Sequence, residues 1–213
     1  MQGKIVVIEG LDGSGKTTQW EMLKTAFKAV RFITFPDYSS DSGRIIKRYL
    51  NGEFGMENAF SASSFYAVDR YANYKSGWEA DYRNGVNIVS ARYTSSNAIY
   101  QMSKLPEDQW AGYLDWLYDY EHQRLGIPRA DLTIFLDVPI EISQKLLTER
   151  YSDGSGEKDI HEASLAYLQS SYECALELCS QYAWQKIACT SGESVLSVGE
   201  IHTRLYEKLK GFL

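Results

Sequence analysis

The stretch Gly10-Leu11-Asp12-Gly13-Ser14-Gly15-Lys16-Thr17 constrains this chain more than any other, because it fits the pattern G-x-x-x-x-G-K-[ST]. A β-branched apolar run, Ile5-Val6-Val7-Ile8, precedes it and a helical pattern follows, the setting in which such a loop cradles phosphate. The glycines let successive backbone N–H groups turn inward around phosphate oxygens. Lys16 adds a mobile positive charge, and the Thr17 hydroxyl can sit on a magnesium ion. The anion then rests at a helix N-terminus, where unpaired N–H groups and the macrodipole favour negative charge.

Short apolar runs recur between longer helical patterns, at Lys4–Ile8, Arg31–Phe35, Val86–Ser90, Leu132–Asp137 and Ala183–Ala188. Five strands separated by helices predict an α/β fold: a P-loop NTPase three-layer sandwich, with a five-stranded parallel sheet covered by helices on both faces. A length of 213 residues suits a single domain spanning 1–213. Ligands of such sheets gather at the C-terminal ends of the strands. The net charge of −6 offers no general basic surface to a nucleic-acid backbone or an anionic membrane. With no bilayer-length apolar stretch and an N-terminus that reads directly into a strand, a cytoplasmic protein is expected. Cys174, Cys179 and Cys189 lack C-x-x-C spacing and the histidines are scattered, so neither disulfides nor a zinc site is expected.

The helix after the phosphate loop carries Trp20, Leu23, Phe27 and Val30 as a core-facing stripe. The second strand ends in Phe35-Pro36-Asp37-Tyr38, where Phe35 suits core and pocket wall equally. A helix over about Ser42–Leu50 stops at Asn51-Gly52, and a long helix over Ala59–Tyr74 follows. In that helix Tyr66 and Arg70 lie four apart and point the same way, to grip a planar base and a phosphate or simply to meet solvent. After the third strand, Ser96, Asn97, Tyr100 and Gln101 concentrate hydrogen-bonding groups beside Arg92. Glu107 to Arg124 reads as a helix with a core stripe of Trp110, Tyr113, Leu114, Leu117 and Tyr118. The polar, glycine-rich segment at about 150–159, flanked by Arg150 and Lys158, reads as a lid over bound phosphates or as a plain exposed linker.

Taken together, these stretches resemble thymidylate kinases nearly from end to end. The similarity rests on Ile8-Glu9-Gly10 through Thr17-Thr18-Gln19, Phe35-Pro36, Phe65-Tyr66-Ala67-Val68-Asp69-Arg70, Arg92-Tyr93 through Tyr100-Gln101, and Leu136-Asp137-Val138-Pro139. The resemblance implies magnesium-dependent transfer of the ATP γ-phosphoryl group to dTMP, giving dTDP and ADP, usually by a homodimer. Gly10, Leu11, Asp12, Gly13, Ser14, Gly15, Lys16, Thr17 and Thr18 would then cradle ATP. Tyr66 would stack on thymine, while Arg70, Ser96, Asn97, Tyr100 and Gln101 would contact base or sugar. Arg92 would bind the acceptor phosphate, Asp12 would meet the sugar or organise that arginine, and Phe35 and Tyr38 would lie near the nucleoside. Lys16, Arg92, Asp12 and the lid residue Arg150 are the expected catalytic set, with Thr17 and Glu9 at the metal.

Two positions depart from the family pattern. Some members carry an arginine where Gly13 stands, whereas others supply cations from the lid, which this chain resembles. Ala91 occupies the place of an aspartate before Arg-Tyr, which predicts a less well held magnesium ion and turnover reduced roughly tenfold to a hundredfold. Two rival readings follow: a deoxynucleoside kinase with Asp37 as general base, and a nucleotide-binding homologue with little catalysis. The paired arginines Arg70 and Arg92 favour an acceptor that already carries a phosphate.

Overall fold

The computed structural model of the chain describes residues 1–55, 58–151, 164–192 and 194–213, the side chains of 149–151 excepted. Strand β1 (Ile5–Glu9) is the middle of a parallel sheet that also contains β2 (Arg31–Thr34), β3 (Ile88–Ala91), β4 (Leu132–Asp137) and β5 (Gln185–Ala188). The order across the sheet is β2-β3-β1-β4-β5. Every residue of β1 is buried, and successive side chains enter different cores. Val6 and Ile8 pack with Leu23, Leu205 and Leu209, whereas Ile5 and Val7 pack with Tyr74, Trp78 and Tyr93. A strand buried on both faces needs no polar alternation, which is why its sequence is a continuous β-branched run.

The helices are α1 (Lys16–Ala26), α2 (Asp41–Leu50), α3 (Ala59–Asn73), α4 (Glu79–Arg83), α5 (Thr94–Tyr100), α6 (Trp110–Tyr118), α7 (Ile140–Tyr151), α8 (Leu165–Gln181) and α9 (Val198–Phe212). Several begin at side-chain caps that satisfy otherwise unpaired N–H groups. The Ser40 hydroxyl accepts from Gly43 N at 2.9 Å, and the Asn58 carboxamide accepts from Ser61 N at 2.8 Å. Ser197 and Glu200 form a reciprocal capping box at the start of α9. Gly52, at φ +78°, takes the left-handed turn after α2.

Several boundaries differ from the sequence reading for local reasons. Strand β3 starts at Ile88 because Val86 N bonds back to Asp81 O at 3.0 Å, and it continues to Ala91. Strand β5 starts at Gln185 because Ala183 is left-handed, at φ +54°. Beyond α3 the chain stays helical through a π-helical turn, Tyr74–Trp78, into α4. The span 107–124 divides into a 3₁₀ turn, α6 and a second π-helical turn, Asp119–Arg124. An unanticipated antiparallel hairpin, β6 (Thr190–Ser191) with β7 (Ser194–Val195), follows β5.

The sheet order fixes where a ligand can sit. From β1 the chain crosses over β3 to reach β2, whereas from β4 it moves the opposite way to β5. Loops that leave neighbouring strands in opposite directions open a crevice at their C-terminal ends. The loop after β1 is the glycine-rich stretch.

Candidate active site

The phosphate loop owes its shape to two left-handed glycines, Gly13 at φ +82° and Gly15 at φ +77°. Ser14 N closes a turn on Leu11 O at 3.1 Å, and Gly15 leads α1 without any side-chain cap. The first N–H groups of α1 are therefore left for an anion. Lys16 Nζ donates to Gly10 O at 2.7 Å, folded back across the loop. Burial, and then the nearby Arg92, bring its ammonium down to about 8. A Cβ on Gly13 would lie 2.5 Å from Ser143 O and 3.0 Å from Leu147 Cγ. The α7 backbone thus fills the space that an arginine at position 13 would need.

Leu11, Asp12, Gly13, Ser14, Gly15, Lys16, Thr17 and Thr18 line a cavity of about 540 Å³. Its other walls include Thr34, Ala91, Arg92, Val138, Leu147 and the Val195, Leu196 and Val198 segment around the hairpin. Gly10 lies behind this wall, where a Cβ would meet Ser14 Oγ at 2.5 Å. Ala91 is 6% exposed and presents only a methyl group to the cavity.

A second cavity, of about 220 Å³, brings together Asp12, Phe35, Tyr38, Tyr66, Arg70, Arg92, Ser96, Asn97, Tyr100 and Gln101. Pro36 and Leu50 complete its wall. Phe35 therefore serves both uses, since it also packs in the core with Tyr93, 6.0 Å between ring centroids. Asp37 is not part of the wall; its carboxylate accepts from Ser39 N and Oγ and from Asn73 Nδ2. Asp12 and Arg92 line both cavities.

Arg92 joins the two compartments because its backbone is left-handed, at φ +66°, a conformation that costs a non-glycine residue about 1 kcal/mol. Arg92 N donates to Ile8 O at 3.2 Å and its carbonyl accepts from Ser90 Oγ at 2.6 Å, which over-determine the turn. The guanidinium then pairs with Asp12 and lies 5.0 Å from the Tyr100 ring centroid, while Tyr100 OH donates to Asp12 Oδ2 at 3.3 Å. Burial opposes the charge of Arg92, and Tyr100, Asp12 and Glu9 outweigh it, so the guanidinium stays protonated. Burial also raises the Tyr100 phenol, which remains a neutral donor.

Three buried carboxylates hold this geometry, and two of them lie outside the sequence expectation. Glu121 takes Arg70 Nε at 2.7 Å and Nη2 at 2.5 Å, Thr94 Oγ1 at 2.8 Å and Asn97 Nδ2 at 3.1 Å. Burial works against the Arg70 charge and Glu121 more than compensates. The spacing Leu114, Leu117, Glu121 runs this acid onto the buried stripe, which is the signal that could have found it. Asp69 accepts from Asp37 N at 2.9 Å, Ser40 Oγ at 3.0 Å and Ser42 Oγ at 2.7 Å, and so fastens the turn that carries Tyr38. Glu9 Oε1 accepts from Ser95 Oγ at 2.6 Å, Ser96 Oγ at 2.7 Å and Tyr93 N at 3.3 Å, which fixes the start of α5. Its other oxygen, Oε2, is buried without a partner among the described residues. The expected lid at about 150–159 lies outside the described residues apart from the backbone of Arg150 and Tyr151 in α7, and Arg150's side chain is among those not described.

The thymidylate kinase family model matches residues 8–198. A probable thymidylate kinase of Pyrobaculum aerophilum is 32% identical over 154 residues, 72% of each chain. The thymidylate kinase of Caenorhabditis elegans is 25% identical over 221 residues, covering 98% of this chain and 92% of that one. In fold, the chain is similar to the structure of thymidylate kinase from Candida albicans, with a TM-score of 0.74 at 22% identity, covering 99% of this chain and 92% of that one. The chain therefore belongs to the thymidylate kinase family and is a nucleoside monophosphate kinase that phosphorylates dTMP.

Proposed function

We propose that this chain transfers the γ-phosphoryl group of ATP to dTMP with magnesium, and does so slowly because of Ala91. The observation that carries the reading is the pair Asp12–Arg92, shared by the phosphate-loop cavity and the smaller cavity beside it. ATP phosphates in the first and a monophosphate in the second would meet at that pair. Phosphoryl transfer asks chiefly for alignment and for cations where charge accumulates, and Lys16 and Arg92 both line the phosphate-loop cavity.

In the acceptor cavity, Tyr66 offers an aromatic face to the base, and Tyr38 and Asp12 flank the sugar and phosphate. Gln101 Oε1 is buried without a partner among the described residues, an acceptor suited to a base that presents an N–H. Arg92 would exchange part of its contact with Asp12 for the acceptor phosphate, and Lys16 would turn from Gly10 O to the phosphates of ATP. The residues present fit a magnesium ion: the Thr17 hydroxyl, on the cavity wall, would hold it, and the Glu9 carboxylate, whose Oε2 has no partner among the described residues, would support it. Bound there, magnesium would neutralise the developing charge between the phosphates. Arg150 remains the proposed lid cation.

Ala91 favours the reading of weak turnover, because the strand end that faces the phosphate loop offers no carboxylate. ADP formation with dTMP should rise about tenfold to a hundredfold in Ala91→Asp. Equal rates in the two proteins would remove position 91 from the account.

A further inference from the structure

We propose that Lys104 is a positioning residue for the acceptor: a cation enclosed by tyrosines that ties the base-facing wall of the cavity to its sugar- and phosphate-facing wall. This rests on the reading of that cavity as the dTMP site. Lys104 lies in the 3₁₀ turn Met102–Lys104 that leaves α5. The turn is itself anchored: Ser103 Oγ bonds to Tyr100 O at 3.0 Å and Ser171 Oγ of α8 at 3.1 Å. Lys104 Nζ donates to Tyr49 OH at 2.6 Å and lies 5.3 Å from the Tyr49 ring centroid and 5.8 Å from that of Tyr167.

From this ammonium two chains of contact reach the cavity. On one side Tyr49, at the end of α2, meets the Tyr66 ring edge-on, 6.3 Å between centroids, and Tyr66 lines the cavity. On the other, Tyr167 OH donates to Tyr100 O at 2.5 Å, and Tyr100 OH reaches Asp12, which holds Arg92. Lys104 lines neither cavity, so its effect passes through the tyrosines.

Among the described residues Lys104 has no carboxylate partner. The groups in contact with it among the described residues are the phenols Tyr49 of α2 and Tyr167 of α8, whose rings in turn meet Tyr66 of α3 and Tyr100 of α5. Burial alone brings its ammonium down to about 8, as low as the phosphate-loop lysine. A lysine lowered in this way costs stability below that value, where the folded protein must keep it charged, and the cost is relieved as pH rises toward the ordinary lysine value. A partly buried cation that costs stability fits a role in the site better than a role in the fold.

The test compares this chain with Lys104→Met and Lys104→Arg, using calorimetric binding of dTMP, binding of ATP, and Tm. We expect Lys104→Met to weaken dTMP about tenfold, the scale of a lost cation–π and hydrogen-bond contact. ATP binding should stay within about twofold on the same reasoning, with Tm at pH 7 unchanged or higher, and Lys104→Arg should restore most of the dTMP affinity. In this chain dTMP affinity should also fall as pH passes about 8, a dependence that Lys104→Arg removes. Unchanged dTMP affinity in Lys104→Met, or a lowered Tm with both nucleotides weakened in parallel, would overturn the proposal. Failure of this chain itself to bind dTMP would instead overturn the reading of the cavity.

Discussion

At the scale of single residues, the site is built by buried charges that hold one another. Arg70 and Glu121 are fully enclosed, and Glu121 also takes Thr94 and Asn97, so one acid holds two of the acceptor-facing groups, Arg70 and Asn97. Removing one partner of such a pair leaves an uncompensated charge and costs about 3–5 kcal/mol. Glu121→Gln should therefore lower Tm and weaken dTMP more than ATP; a variant with unchanged Tm and dTMP binding would show that the network does not hold Arg70. Lys16 carries the corresponding prediction for pH. Its folded value of about 8 is lowered mainly by burial, so a share of the free protein has it neutral once the pH passes that value. Bound phosphates favour the charged form, so ATP binding at pH 8.5 should take up protons. Calorimetry in buffers of different ionisation enthalpy reads that uptake, and Lys16→Arg should abolish it. Binding without uptake in the unaltered chain would count against Lys16 as the phosphate-facing cation.

At the scale of elements, legibility in the sequence followed the kind of constraint. Strand β1, the phosphate loop and α1 were readable because each rests on local chemistry: a two-sided apolar run, glycines at positive φ, and a helix start free for an anion. A spacing of four puts Tyr66 and Arg70 on a shared face, and both line the smaller cavity, but spacing left open that Arg70 meets solvent and could not say that it is buried against an acid more than fifty positions away. The hairpin β6–β7 escaped because Thr190, Ser191 and Ser194 carry no apolar pattern, although Val195 forms part of the phosphate-loop cavity. Ala183 could not be read as left-handed, since alanine ordinarily avoids positive φ. Helix α3 carries one further prediction. Phe60, Val68 and Tyr71 are 39%, 48% and 40% exposed on it. An apolar face of this kind suits the homodimer that the family resemblance implies. Sedimentation should give a dimer that Val68→Asp converts to monomer, and a monomeric parent chain would remove that face from the proposal.

At the scale of the whole molecule, the crossing pattern of a parallel sheet turns separate motifs into one site. The ends of β1 and β3, β2's exit turn, α3 and α5 converge because β1 is central and its own connection leaves in the direction opposite to that of β4. Motifs spread from Asp12 to Gln101 then line one small cavity, and the phosphate loop opens beside it. Sequence order could supply the members of that cavity through the family resemblance; only the fold brings Arg92 to Asp12 and so gives the two compartments a common border. That border implies an acceptor that arrives with a phosphate. Phosphorus NMR of this protein with ATP and magnesium, given either dTMP or thymidine, tests the implication directly. The account predicts dTDP and ADP signals with dTMP and no dTMP formed from thymidine, whereas phosphorylation of thymidine with dTMP left unchanged would contradict it.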